Sequence, residues 1–267
     1  MVWIYIDGKH FCRRNIGEVM IKVISRGLRA ASEILMPRTC IVCGESLLLD
    51  EEHLCLECLA DLPQTYFWQR SHNQMADKFN EVIQKREHES FERYAYATAL
   101  FFYHSEADYR LIPYQIKYHG NLSAGRFFGK MLGRRLASSD IYSDVDMVIP
   151  VPLHWTRMWQ RGYNQAEVIA EGVAEAMKIP LRTDILKRSR RTATQTKLTV
   201  EDKTRNVSGA FSISDEYIPR KDIRHILLID DVFTTGSTLG ECFRALRSVF
   251  PPSSVRISVA TLAFVGE

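Results

Sequence analysis

The segment HILLIDDVFTTGSTLGECFRALR, from His225 to Arg247, sets two acids directly after four aliphatic residues and a cluster of hydroxyl residues directly before a helical pattern. Ile226, Leu227, Leu228 and Ile229 read as a buried strand, so Asp230 and Asp231 emerge where a sheet ends. There they can accept hydrogen bonds from hydroxyls or orient a hydrated cation. Thr234, Thr235, Gly236, Ser237 and Thr238 then offer N–H groups and hydroxyls at a helix N-terminus, where free donors and the helix dipole favour an anion. Gly236 allows close backbone approach or a positive φ. The arrangement suits a phosphate monoester. Any one of these features also fits a solvated acidic turn with a Ser/Thr cap; the whole string is much rarer. A Walker A loop is excluded because no lysine follows Gly236.

A second cluster has metal chemistry. Cys40, Cys43, Cys55 and Cys58 form C-x2-C-x11-C-x2-C, with Gly44 after the first pair for a tight turn. Four thiolates at this spacing can enclose a tetrahedral zinc with no open position, which is a structural site. An iron–sulfur cluster takes the same four ligands. His53 lies near the second pair without being needed as a ligand. Such a module is either a folding staple for a piece too small to hold a core or a contact surface for nucleic acid or protein; the staple reading is preferred. Cys12 and Cys242 are isolated, and Cys242 reads as packing.

Two further stretches concentrate positive charge. In MVIPVPLHWTRMWQRGYNQ a buried strand runs into a turn dense with donors, containing Leu153, His154, Arg157 and Arg161. Arginines there can neutralise an anion, although exposed arginines on a helical turn are also ordinary. Lys187 to Arg205 is basic and lacks apolar periodicity, as a solvated loop would.

The elements that must hold these groups are legible from periodicity. Ile21, Ile24, Leu28, Ala31 and Leu35 have helical spacing, and Met20 before them is a candidate true start in place of Met1. Residues 69–90 read as a linking helix, 94–103 as a strand or hairpin, and 107–118 and 122–138 as helices. Strands are expected at 145–151, 179–186, 225–230 and 254–265, with helices at 164–177, capped by Asn164, and at 238–249, ended by Pro251 and Pro252. This alternation predicts an α/β fold, a mostly parallel sheet flanked by helices, with ligands at the carboxyl ends of the strands. The expected domains are an N-terminal extension and amphipathic helix over 1–36, a zinc-ribbon module over 37–63, a linker over 64–92 and the α/β domain over 93–267.

The 267 residues are 46% hydrophobic and 25% charged with a formal net charge of only +3. That is globular, and too mildly basic to require nucleic acid as a partner. No apolar run is long enough for a membrane span, and MVWIYIDGKH does not read as a secretion leader, so a cytoplasmic location is expected.

LLIDDVFTTGST resembles the ribose-phosphate signature of type I phosphoribosyltransferases. PVPLHWTRMWQRGYNQA, LKRSRRTATQTKL, RNVSGAF and the cysteine module narrow the resemblance to the ComF family. The resemblance implies a type I phosphoribosyltransferase fold with a small N-terminal zinc-ribbon module and a site for 5-phosphoribosyl 1-pyrophosphate with magnesium. By it, Asp230 and Asp231 hold the ribose and Thr234 to Thr238 the 5-phosphate. Leu153, His154, Arg157 and Arg161 hold pyrophosphate, and Arg190, Arg191, Thr192 and Gln195 belong to a flexible loop that closes over the substrate. Lys117 and His119, in QIKYHGN, also match the family pattern, although a helix-end lysine is ordinary. The implied function is phosphoribosyl transfer to an unknown acceptor, linked to natural competence and DNA uptake. The alternative is a non-catalytic sensor of a phosphoribosyl metabolite, or an accessory acting through single-stranded DNA or competence proteins.

Overall fold

The computed structural model describes residues 3–6, 9–12, 38–84, 93–188, 210–215, 217 and 222–266. The helix expected from Met20, and Arg190, Arg191, Thr192 and Gln195 of the expected loop, lie outside these residues. The chain divides into two compact units, Met1–Asp61 and Leu62–Glu267. No helix among the described residues is long and apolar enough to cross a membrane.

The first unit opens with an antiparallel pair, β1 (Trp3–Ile6) and β2 (Lys9–Cys12), in the register Ile6↔Lys9. The cysteine module follows, with one short helix, α1 (Leu56–Ala60).

The second unit begins with α2 (Gln74–Gln84) and β3 (Ala97–Phe102). Up to Gln84, the segment expected as a linker is packed structure: Phe67, Met75, Phe79 and Ile83 are in the core. The asparagines between them are structural too. Asn73 donates to the Ala97 carbonyl at 3.0 Å, and Asn80 exchanges bonds with both the carbonyl and the N–H of Ala95, supplying partners to a sheet-edge segment. Next come α3 (Leu111–Tyr118), α4 (Leu122–Ala137) and β4 (Met147–Pro150), then α5 (Trp155–Arg161) and α6 (Gln165–Met177). A short antiparallel pair, β5 (Leu186–Arg188) and β6 (Phe211–Ile213), precedes β7 (His225–Phe233), α7 (Ser237–Arg247) and β8 (Arg256–Phe264).

β3, β8, β7 and β4 form a parallel sheet in that order. Parallel strands are buried on both faces, which explains the unbroken aliphatic run of β7. Ile226 and Leu228 join the cluster that contains α2 and α7, while the alternate residues Leu227 and Ile229 point to the other face, where α6 packs on β4 and β7. The strand expected at 179–186 is a single bridge, Leu181 to Val148, because Arg182 and Asp184 close a local ion pair in the bend that follows. At the amino end of β7, His225 is buried between Asp144 Oδ1 at 2.6 Å and Ser258 Oγ at 2.8 Å. Burial depresses its pKa, so it stays neutral and ties the strand down at the end opposite the acids.

Candidate functional site

The carboxyl ends of β4 and β7 open into a cleft of about 740 Å³. Two local devices shape its β4 side. Gly162, at φ +78°, ends α5, and Asn164 starts α6 by accepting from the Ala166 N–H while donating to the Val151 carbonyl at 3.0 Å. The RGYNQ string thus turns one helix into the next and pins both to the strand end. That places Arg157 and Arg161 on the cleft wall with Leu153. His154 does not join them in the cleft lining; its Nδ1 caps α5 through Thr156.

On the β7 side, Asp230, Asp231, Thr234 and Thr238 line the cleft. Thr235, Gly236 and Ser237 complete a recess of about 40 Å³ beside Asp230, at the start of α7. Gly236 sits at φ +73° with the Phe233 ring against it, where a Cβ would lie 2.7 Å from that ring. Only glycine fits both the conformation and the space. The Thr235 and Ser237 hydroxyls are 3.0 Å apart, which orients them within the loop.

The electrostatics are unequal. Asp231 is buried and faces the Lys117 ammonium at 3.1 Å. Asp230 is half-buried, and burial together with the adjacent Asp231 pushes its pKa up to about 7, against the opposing pull of Lys117 and Arg188. As pH rises from about 4 to about 7 the unfolded chain releases this proton while the folded chain keeps it, so stability falls across that window and the loss is complete above it. Asp230→Asn should therefore be more stable than wild type by about 2 kcal/mol at pH 8, with the gain fading towards pH 4. Thermal melts of both chains without ligand check this; equal pH profiles would contradict it.

Arg188 was expected only as part of a basic loop. It stands at the end of β5, stacked over the Phe211 ring at 5.1 Å, and lines the cleft. Its pKa is lowered by burial and then by repulsion from Arg157. Tyr103, Arg110, Tyr114 and Tyr118 also line the cleft and were missed. The one available signal was the pair Tyr114 and Tyr118, four apart on a helix next to Lys117. Five cations, Arg110, Lys117, Arg157, Arg161 and Arg188, thus share the cleft lining with two acids and a hydroxyl-rich loop.

In the first unit, the sulfur atoms of Cys40, Cys43, Cys55 and Cys58 all lie within 4.8 Å of one another, and those of Cys43 and Cys55 are 3.7 Å apart. Thiolates placed tetrahedrally around zinc at ~2.3 Å have edges of ~3.8 Å, so the cluster can hold such an ion. Gly44, at φ +79°, donates to the Cys40 carbonyl and makes the knuckle turn, and Cys55 caps α1.

Residues 164–267 match the family described as phosphoribosyl transferase domain. The second unit carries a phosphoribosyl transferase domain. Competence protein F of Haemophilus influenzae is 41% identical over 106 residues, which are 39% of this chain and 45% of that protein. DNA utilization protein YhgH of Escherichia coli O157:H7 is 35% identical over 101 residues, 38% of this chain and 43% of its own. Competence protein ComFC of Bacillus subtilis is 32% identical over 113 residues, 40% and 41% of the two chains. The chain is thus similar to these competence and DNA utilization proteins over less than half of their length.

Proposed function

We propose that the cleft binds 5-phosphoribosyl 1-pyrophosphate with magnesium and transfers the phosphoribosyl group to an acceptor nucleophile. The observation that carries this is the convergence of an acid pair, a glycine-turned hydroxyl loop at a helix start and five cations on one cleft. The N–H groups and hydroxyls of Thr234 to Thr238 hold the 5-phosphate, as the start of an eleven-residue helix favours. Asp230 and Asp231 accept hydrogen bonds from the ribose hydroxyls, with the Lys117 ammonium 3.1 Å from Asp231. Lys117, Arg157, Arg161 and Arg188 neutralise the diphosphate, whose charge on the bridging oxygen grows as the glycosidic bond breaks. Asp230, half-buried in the cleft lining, would be the residue to hold magnesium, and the ion would supply further neutralisation of the leaving group.

Zinc in the cysteine cluster belongs to the same reading, as a closed structural ion. The names of the relatives, competence protein and DNA utilization protein, support a role linked to DNA uptake. They leave room for a chain that binds the ligand and acts through partners without turnover.

Titration calorimetry with 5-phosphoribosyl 1-pyrophosphate tests the binding step. Saturable binding that strengthens with magnesium is expected, and no heat at any ligand concentration would overturn the reading. Pyrophosphate release on adding candidate nucleophiles then separates an enzyme from a sensor.

A further inference from the structure

One face of α3 runs along the cleft. Arg110, which has helical backbone angles at the start of α3, and Pro113, Tyr114, Lys117 and Tyr118 recur at three- and four-residue intervals, and all five line the cleft. The two ends of this face differ. At the carboxyl end Lys117 meets Asp231, and the Arg161 guanidinium lies 5.1 Å from the centre of the Tyr118 ring, so this end belongs with the diphosphate cations. At the amino end the Arg110 guanidinium donates to the Ser105 carbonyl at 2.7 Å, which ties it to the loop leaving β3. The sheet has the same polarity, since β7 stands between β4 on one side and β8 and β3 on the other. Past the strand ends the Val265 N–H donates to the Phe233 carbonyl at 2.9 Å and the Tyr103 N–H to the Phe264 carbonyl at 2.8 Å. Val265 and Tyr103 thus extend the sheet beside the acid-bearing end of β7, and both line the cleft.

We propose that the β8 and β3 side of the cleft takes the acceptor, and that the acceptor is a heteroaromatic carboxylic acid attacking through an unprotonated ring nitrogen. This rests on the reading of the cleft given above. A nucleophile that displaces a leaving group at the anomeric carbon approaches from the opposite side. With the diphosphate among the cations that follow β4, the wall left for the acceptor is Tyr103, Arg110, Pro113, Tyr114, Val232 and Val265. Two phenol rings, a proline and two valines match a flat, largely apolar molecule. Arg110 adds one planar cationic fork, which pairs with a carboxylate. Glu106 and Asp108 precede it in the chain, and neither lines the cleft.

The fate of the proton selects the nucleophile. None of these six residues carries a carboxylate, imidazole or thiol, and a phenol takes up no proton at neutral pH. Asp230 and Asp231 are engaged by the ribose hydroxyls. An amine or a ring N–H would have to shed a proton where nothing receives it, whereas a pyridine-type nitrogen has none to shed. Its lone pair forms the bond to the anomeric carbon as the carbon–oxygen bond breaks, and the electron pair of that bond leaves on the diphosphate. The ring nitrogen becomes positive, and the carboxylate on the same ring offsets the new charge.

The probes are the three pyridine monocarboxylates, picolinate, nicotinate and isonicotinate, each with its amide as the neutral counterpart, and benzoate, which lacks the ring nitrogen. With the full chain, magnesium and 5-phosphoribosyl 1-pyrophosphate, at least one of the acids should release pyrophosphate. Its amide should do so about tenfold less efficiently or worse. Benzoate should compete with the acid and release none. Arg110→Gln should lower kcat/KM for the acid about tenfold or more, chiefly through KM, and lower that for the amide much less. A thermal melt matching wild type shows that the variant is folded.

Calorimetry with 5-phosphoribosyl 1-pyrophosphate alone separates this proposal from the cleft reading. If that ligand binds and no acid releases pyrophosphate, or if the amides or adenine react faster than the acids, the acceptor class is wrong and the cleft reading stands. Acids that bind without release overturn the transfer. An Arg110→Gln chain that loses acid and amide alike overturns the pairing of Arg110 with the carboxylate. If the diphosphate ligand does not bind, the cleft reading has failed and the acceptor assignment falls with it.

Discussion

Replacing Gly172 by leucine will destabilise the second unit by at least about 3 kcal/mol, because the new side chain has only backbone to displace. α4 and α6 cross so closely that a Cβ on Gly172 would lie 2.3 Å from the Arg126 carbonyl oxygen and 2.8 Å from the Lys130 nitrogen. On the facing helix, a Cβ on Gly129 would meet the Ile169 carbonyl oxygen at 2.3 Å. Neither obstacle can rotate away, so the helices must separate and pull α6 off β4 and β7, which it covers. Gly125 is the contrast: its Cβ would meet a side-chain methyl of Val168 at 2.7 Å and no backbone atom, so Gly125→Ala should cost markedly less. Thermal melts of the two variants and wild type measure this, and a Gly172→Leu chain melting with wild type would show that the contact is not as close as described.

Removing the metal should have the other large effect, confined to the first unit. Among residues 38–61 only Cys40, Leu47 and Leu54 are buried apolar residues, too few to hold a fold without a staple. Structural zinc supplies about 10–16 kcal/mol in comparable small modules. Chelation, or Cys58→Ser, should therefore abolish amide protection over residues 38–61 and leave β7 and β8 protected. One zinc per chain is expected by elemental analysis. Stoichiometric iron, or unchanged protection after complete metal removal, would contradict the assignment.

The parts of the fold that depend on local pattern were legible. β7 announced itself through four consecutive aliphatic residues, and α6 through Asn164 and the spacing that follows it, because burial on both faces and helix capping each leave a direct trace. The parts that depend on tertiary partners were not. Residues 64–84 looked like a polar connection because Asn73 and Asn80 are polar, yet their amides serve the backbone beside β3. Gly125, Gly129 and Gly133 recur every fourth residue on α4, a spacing whose meaning appears only when α6 lies against it.

The same division holds for the site. Asp230, Asp231 and Thr234 to Thr238 are contiguous and were found together. Leu153, Arg157 and Arg161, which the resemblance put beside a bound anion, follow the end of β4 and line the same cleft. Arg188, Tyr103, Arg110, Tyr114 and Tyr118 reach the cleft from elements distant in sequence, so no local spacing could assign them. His154, which the resemblance put beside the same anion, is not in the cleft lining, and its Nδ1 meets the first turn of α5.

The most direct measurement is a crystal structure of the chain grown with 5-phosphoribosyl 1-pyrophosphate and magnesium. The 5-phosphate is expected within the Thr234–Thr238 loop, the ribose hydroxyls on Asp230 and Asp231, and the diphosphate among Lys117, Arg157, Arg161 and Arg188. An empty loop at saturating ligand, or a ligand bound with its phosphate away from Gly236 and its ribose away from the two acids, would contradict the account.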